Sequence, residues 1–299
     1  GLAVDESACI EGSELAKLSE EEFSKGVERW QVYARVVPED KLKIAQAWQA
    51  KGEVVAMVGD GVNDAPALKR ADIGISLGSG TEVAKEASLL VLLDDSFSTI
   101  VSAIQGGRVI FDNIRKLITY LLATAFTEII LIGGSLLIGF PIPLLAVQIL
   151  WTNLIAEGIQ TFSLAFEPKE PDVMRRRPMR RSESLFTKQM MTIIFLVGIV
   201  TALYLLGIFW FLFDQGHPIA QIRTVIFLGL SISAIFFIYP LKSLRRPIWQ
   251  LEPFSNRFLI AATMINISLL VLVMILPGLR MLLHLVPITL GQASIVILI

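Results

Sequence analysis

The sequence predicts an α/β part joined to an all-α membrane part: a partial parallel sheet followed by a bundle of transmembrane helices. Three observations carry that reading. Apolar side chains make up 54% of the 299 residues, and the mean hydropathy is +0.66, too high for an ordinary soluble protein. Acidic residues are unevenly spread, with 19 of the 27 at or before Lys116 and eight across the longer remainder. Up to about residue 95 short apolar runs alternate with helical patterns, whereas beyond Lys116 the apolar runs reach about 20 residues, enough to cross a bilayer core. The formal net charge of −1 offers no basic surface, so no nucleic-acid partner is expected. Cys9 is the single cysteine, which excludes an intrachain disulfide and a thiolate metal cluster.

Residues 1 to about 30 are polar, and Ser19-Glu20-Glu21-Glu22-Phe23 is a capping-type helix start. Tyr33 to Val37 reads as a short strand, Pro38 as a turn, and a helix begins at about Glu39. Lys41 falls in the first turn of that helix, where exposed amides already favour an anion. Val54-Val55-Ala56-Met57-Val58 reads as a buried strand. It empties into Gly59-Asp60-Gly61-Val62-Asn63-Asp64, and Ala65 onward reads as helix. In an open α/β sheet the carboxyl end of a strand is where ligands sit. Gly59 and Gly61 are expected to let the backbone approach a ligand closely, at angles other residues resist. Asp60 and Asp64, with the Asn63 amide between them, offer hard oxygen ligands suited to Mg²⁺.

Ile73 to Leu77 reads as a second strand, Thr81 to Ala87 as a helix, and Leu89 to Leu93 as a third strand ending at Asp94-Asp95. Strands alternating with helices predict parallel pairing. Gly78-Ser79-Gly80 is too slight a pattern for a nucleotide loop and is read as a connection. Phe97 to Lys116 reads as a helix that runs on into the first span, with Gly106-Gly107 as its one soft point and Asp112 and Arg115 marking its polar approach to the membrane.

Membrane spans are expected at about 117–138, 144–165, 190–213, 223–240 and 258–276, with a sixth begun near 288. Pro141 and Pro143 leave only a tight loop between the first two. Positive charges follow the second span at Arg175-Arg176-Arg177, Arg180 and Arg181, and the fourth at Lys242, Arg245 and Arg246. Both loops, and the soluble part, are therefore expected on the cytoplasmic side. Trp210, Tyr239 and Trp249 are expected to be interfacial anchors.

Only Glu128 and Glu157 fall near the middle of spans. A carboxylate there costs roughly 3 kcal/mol or more unless it is paired, protonated or bound to an ion, which makes it a functional candidate. Asn153 lies four residues before Glu157 and shares its helix face. Pro143 and Gly158 leave room for local unwinding, which would free carbonyls as further ligands.

The octet Gly59-Asp60-Gly61-Val62-Asn63-Asp64-Ala65-Pro66 matches the Mg²⁺ and hinge motif of the P-type ATPases, ion pumps that pass through an aspartyl-phosphate. Tyr33 to Ile44 resembles the segment that precedes this motif in calcium-type pumps. That resemblance implies that Lys41 neutralises the phosphoryl group, with Lys43 the weaker candidate, and that Asn63 and Asp64 position Asp60. The strand–helix alternation resembles the later half of the haloacid-dehalogenase-like phosphorylation domain of these pumps. Leu150-Trp151-Thr152-Asn153-Leu154-Ile155-Ala156-Glu157-Gly158 is similar to their sixth-helix motif LWVNLVTDG. By this resemblance Asn153 and Glu157 are ligands of the transported cation, and Glu128 falls on the fifth-helix glutamate.

This sequence also departs from the family. Glu157 is longer than the family's aspartate, and Ala156 and Ala125 stand where calcium pumps carry a ligand threonine and asparagine. The span around Ser231 to Ala234 lacks a carboxylate. These departures imply one ion site rather than two, with Glu128 available for proton exchange. The DKTGT motif of the phosphorylated aspartate, the TGES loop and the nucleotide-binding domain do not occur here. The chain alone is therefore not expected to hydrolyse ATP; ATP enters as substrate through the missing N-terminal part of the same pump.

The resemblance thus implies residues 1–98 as the C-terminal part of the phosphorylation domain, 99–116 as a stalk helix and 117–299 as a transmembrane domain with five complete spans and a truncated sixth. The expected function is Mg²⁺-dependent, ATP-driven cation transport, with calcium ahead of manganese, sodium or protons. The expected setting is a multi-pass protein of the plasma membrane, in contact with the lipid bilayer. A different class stays open: a truncated membrane regulatory or assembly protein without catalysis.

Overall fold

The computed structural model describes residues 6–179 and 183–297; Arg180 and Arg181 of the predicted basic run lie outside them. The chain divides into two compact units, one of Gly1–Gly106 with Arg175–Glu183, the other of Gly107–Met174 with Ser184–Ile299.

In the first unit, strand β1 (Cys9–Glu11) pairs in parallel with β2 (Val32–Ala34), and helices α1 (Gly12–Leu15) and α2 (Glu20–Gly26) lie between them in sequence. Ser19 caps α2 as expected, accepting from the Glu22 amide while the Glu22 carboxylate accepts from the Ser19 amide at 3.0 Å. Ile10, Leu15, Phe23, Val27 and Ala47 form a small core, with Trp30 stacked on Phe23. The polar reading of residues 1 to about 30 did not anticipate β1, which is too short to show a period.

Helix α3 (Pro38–Ala50) starts on a proline whose missing N–H costs nothing at that position, and the Val37 amide donates to Asp40 Oδ2 at 3.1 Å. The second sheet is parallel, in the order β3 (Ala56–Gly59), β4 (Ile73–Leu77), β5 (Leu90–Leu92). Its crossovers are α4 (Ala65–Arg70) and α5 (Glu82–Ala87), the latter capped by Thr81. Gly74 lets α4 close on the sheet: a Cβ there would stand 2.5 Å from the Leu68 carbonyl oxygen. Gly59 is level with Ser76, and Leu77 with Leu92, so the carboxyl ends of all three strands form one edge.

Helix α6 runs unbroken from Phe97 to Ile138 through Gly106-Gly107. In the second unit it is followed by α7 (Ala146–Trp151), a π-helical stretch (Thr152–Glu157) and α8 (Gly158–Leu164). Then come α9 (Lys188–Asp214), α10 (Ile219–Phe237), α11 (Arg257–Ile275), the short α12 (Pro277–Leu282) and α13 (Leu290–Ile297). Four of these helices are long and apolar enough to cross a membrane: α6, α9, α10 with its extension to Lys242, and α11. The span expected at 144–165 is helical from Ala146 to Leu164 but is not one α-helix, because its middle takes i→i+5 bonding. The local unwinding expected there is thus a change of helical pitch, not a break.

One polar end of this bundle is tied by buried ion pairs. Lys242 Nζ lies 3.4 Å from Glu167 Oε1, and Asn256 Nδ2 donates to Glu167 Oε2 at 2.8 Å. Lys116 Nζ lies 3.5 Å from Glu170 Oε1, and Asn113 Nδ2 donates to the Glu167 carbonyl at 2.9 Å. Burial of charge demands such pairing. Trp210 and Trp249 are exposed, as interfacial anchors would be. Tyr239 differs, since its hydroxyl donates inward to Thr263 Oγ1 at 3.0 Å.

Candidate functional sites

The first site lies at the carboxyl edge of the β3–β4–β5 sheet. β3 ends at Gly59, and the chain turns through Asp60 and Gly61 into a short 3-10 turn, Val62–Asp64, before α4. Lys41 reaches from the start of α3 to this turn, and its Nζ stands 2.5 Å from Asp64 Oδ1. Asp64 Oδ2 accepts from the Gly61 amide at 3.3 Å. Both oxygens of the buried Asp64 are therefore engaged within the protein. Burial pushes the Asp64 carboxyl up, but the Lys41 hydrogen bond, the Gly61 amide, the Lys41 charge and the Asp60 amide outweigh it and hold the group below the usual carboxylate range.

Asp60 and Asn63 are exposed on the same turn, and Lys43 is exposed. Asp60 is anchored through its backbone, where its carbonyl accepts from the Thr81 amide at 2.9 Å. Gly80 abuts that backbone: a Cβ on it would stand 3.1 Å from the Asp60 carbonyl oxygen and 3.0 Å from that of Leu77. The Gly78-Ser79-Gly80 connection thus braces the Asp60 turn, a role its letters alone did not reveal.

Neither Gly59 nor Gly61 has a positive φ, so the expected need for unusual backbone angles is corrected. Gly59 is required by packing, because a Cβ there would fall 2.6 Å from the Asp64 Cβ. An exposed carboxylate on a braced strand end suits a hydrated hard cation such as Mg²⁺. Asp64, already held by Lys41, fits a supporting position better. Among the described residues no three His, Cys, Asp or Glu side chains cluster as a ready metal cage.

The second site lies within the helical unit, where α6 faces the π-helical stretch. Asn153 Nδ2 donates to Glu128 Oε2 at 3.3 Å, and Thr124 Oγ1 donates to Glu157 Oε2 at 2.9 Å. Thr124 and Glu128 are one turn apart on α6, as are Asn153 and Glu157 on their helix. The two bonds share one antiparallel register. Glu128 and Glu157 are only 7% and 4% exposed, whereas Asn153 lies at the open side of the pair. Glu128 Oε1 and Glu157 Oε1 are buried without a hydrogen-bond partner among the described residues. Two buried carboxylates, each with an oxygen left over, are a chemistry suited to a cation.

Thr124 was missed by sequence reading. Its signal was spacing: a hydroxyl four residues before a mid-span glutamate lies on that glutamate's face.

Comparison with known proteins gives three further findings. The family described as cation transporting ATPase, C-terminus, matches residues 141–299. Two families described as haloacid dehalogenase-like hydrolase match residues 6–72 and 41–104. Among curated proteins, the calcium-transporting ATPase of Bacillus subtilis (strain 168) is 42% identical over 96% of this chain and 32% of its own length. Calcium-transporting ATPase 1 of Bacillus cereus (strain ATCC 10987 / NRS 248) is 37% identical over 93% of this chain and 33% of its own. The probable cation-transporting ATPase F of Mycobacterium bovis (strain ATCC BAA-935 / AF2122/97) is 39% identical over 94% and 31%. The chain spans about a third of the length of the curated relatives it matches.

Proposed function

This chain belongs to the cation-transporting ATPase family, and we propose that it serves as the C-terminal part of an ATP-driven pump, with calcium as the transported ion. It is an integral membrane protein by its four long apolar helices and its family. The observation that carries the transport reading is the Glu128–Glu157 pair. Two buried carboxylates in facing helices, each with an oxygen left over, would hold a dehydrated cation as cargo. Asn153 supplies an amide at the open side of the pair, and Thr124 orients Glu157. The π-helical stretch permits this because i→i+5 bonding widens the helix where Asn153 and Glu157 must both turn to α6. Two carboxylates and a divalent ion balance in charge, which supports calcium over sodium or a proton.

In the sheet unit, Asp60 would hold Mg²⁺, with Asn63 and Asp64 positioning the turn. Bound there, Mg²⁺ supplies charge neutralisation during transfer of a phosphoryl group to an aspartate outside these 299 residues. Lys41, held by Asp64, offers its ammonium to the phosphoryl oxygens. Helix α6 contains both Glu128 and the Phe97 start that follows the last strand, so it is the covalent route by which one event biases the other. The sheet unit then faces the cytoplasm, by the basic loops, and the bilayer is the plasma membrane.

The test is cation-dependent phosphorylation of the complete pump from ATP across calcium, manganese, sodium and proton concentrations. Calcium dependence in the wild type and its loss in Glu157→Gln are expected. Phosphorylation indifferent to calcium, or unchanged in Glu157→Gln, overturns the assignment.

A further inference from the structure

We propose that the helical unit holds a second cation site, for a monovalent ion, between α8 and α11. It shares no side chain with the Glu128–Glu157 pair and does not rest on the transport reading. Gln160 is fully buried and Asn266 is 3% exposed. Asn266 Nδ2 donates to the Ala156 carbonyl at 2.8 Å, which fixes the sense of its amide and turns Oδ1 away from that contact. One turn along the interface, Gln160 Nε2 lies 3.5 Å from Thr263 Oγ1. Thr263 Oγ1 also accepts from the Tyr239 hydroxyl at 3.0 Å.

This arrangement leaves Asn266 Oδ1 and Gln160 Oε1 buried without a hydrogen-bond partner among the described residues. The pairs 156–266 and 160–263 join the same two helix faces, so both amide oxygens belong to one interface. In an apolar bundle an unpartnered amide oxygen is unfavourable, and a cation lodged between the two helices would satisfy both. The donors are neutral: two amide oxygens and the oxygen of the Tyr239 hydroxyl, whose proton goes to Thr263. With no carboxylate among them they cannot offset a divalent charge, but they resemble the carbonyl and hydroxyl oxygens that replace the water shell of a sodium or potassium ion. The chemistry therefore selects an alkali cation.

The experiment measures equilibrium binding of radioactive sodium, and of rubidium as a potassium congener, to the purified protein in detergent. Calcium binding is read in parallel on the same samples. Saturable monovalent binding is expected in the wild type, weakened roughly tenfold in Asn266→Leu, as loss of one buried polar partner predicts. Calcium binding should follow Glu128→Gln and not Asn266→Leu, so failure of the carboxylate site and failure of this one are told apart. Gln160→Glu keeps the shape and adds a charge, and Thr263 can turn its hydroxyl to donate, so this variant should bind the monovalent ion more tightly. Absence of saturable monovalent binding overturns the inference. So does unchanged affinity in both variants, or weaker binding in Gln160→Glu when that protein elutes as a single folded species.

Discussion

Lys41 Nζ and Asp64 Oδ1, which are 23 residues apart in the chain, stand 2.5 Å from each other. The pair joins the start of α3 to the turn after β3, and Asp64 sits on it with 8% side-chain exposure against 36% for Lys41. One partner is therefore desolvated and the other only in part.

That asymmetry sets the outcome of deleting the lysine. Lys41→Met leaves a buried carboxylate with backbone amides as its only partners and should destabilise the turn by about 1–2 kcal/mol, less than for a fully buried pair because Lys41 is part-exposed. Asp64→Asn should cost less, and the double variant less than the sum. Amide hydrogen exchange over residues 60–68 measures this; additive effects would mean that the two groups do not interact.

The same contact carries a pH dependence of defined sign. Asp64 titrates lower in the folded protein than in an unfolded chain, where an aspartate titrates near about 3.9. Its stabilisation is then fully present above about pH 4 and is lost as pH falls through the lower folded value. The gap in unfolding midpoint between wild type and Asp64→Asn should be flat from roughly pH 7 to 5 and shrink below about pH 4. A gap that widens in acid would reverse the assigned sign.

Much of this was legible in the sequence, and the misses have causes. The parallel order of β3, β4 and β5 followed from strands alternating with helices, and Ser19 announced its capping box. Glu128 and Glu157 stood out because lipid makes a mid-span carboxylate conspicuous. β1 escaped because three residues cannot display a period. Gly59 was read through backbone angles, but its reason is a side chain five positions on, which spacing cannot reveal. The π-helical stretch escaped because a change of pitch leaves no mark in hydropathy. Asn266 escaped because a single amide in an apolar helix is unremarkable until its partner helix is known.

Glycine positions separate packing from backbone freedom. Gly59→Ala would place a Cβ 2.6 Å from that of Asp64, and should destabilise by about 1–3 kcal/mol through forced displacement of the turn. Gly106→Ala meets no atom within 4 Å and sits inside α6, so it should stabilise by about 0.5–1 kcal/mol. Thermal unfolding of the two variants side by side checks both signs. Equal behaviour would remove the steric argument for Gly59.

The loop pairs at the polar end of the bundle are buried on both sides. Lys242 and Glu167 have 3% and 5% side-chain exposure, and Lys242 also donates to Ser255 Oγ at 2.8 Å. Lys242→Met strands the Glu167 carboxylate and should cost about 3–5 kcal/mol. Adding Glu167→Leu should return much of it, since a buried pair replaced by apolar groups is close to neutral. The unfolding midpoint in detergent reports this. A double variant less stable than Lys242→Met alone would mean that Glu167 is stabilised chiefly by Asn256.

Thr124 gives the sharpest test of the carboxylate site because its substitution changes one atom group and no charge. Thr124→Val keeps the side-chain shape on α6 and removes the hydroxyl that donates to Glu157 Oε2 at 2.9 Å. Without that donor, Glu157 has no fixed orientation towards Glu128, and both its oxygens lack a partner. Loss of one hydrogen bond to a charged group is worth about 1.5–3 kcal/mol, so calcium affinity should fall at least roughly tenfold. The fall should appear as a shifted midpoint with an unchanged maximum, since both carboxylates remain. Thr127→Val, one turn from Thr124 and also buried, is the control: its hydroxyl donates to the Ala123 carbonyl at 2.9 Å, within its own helix. Equal losses in the two variants would place the effect in α6 packing and not in the orientation of Glu157.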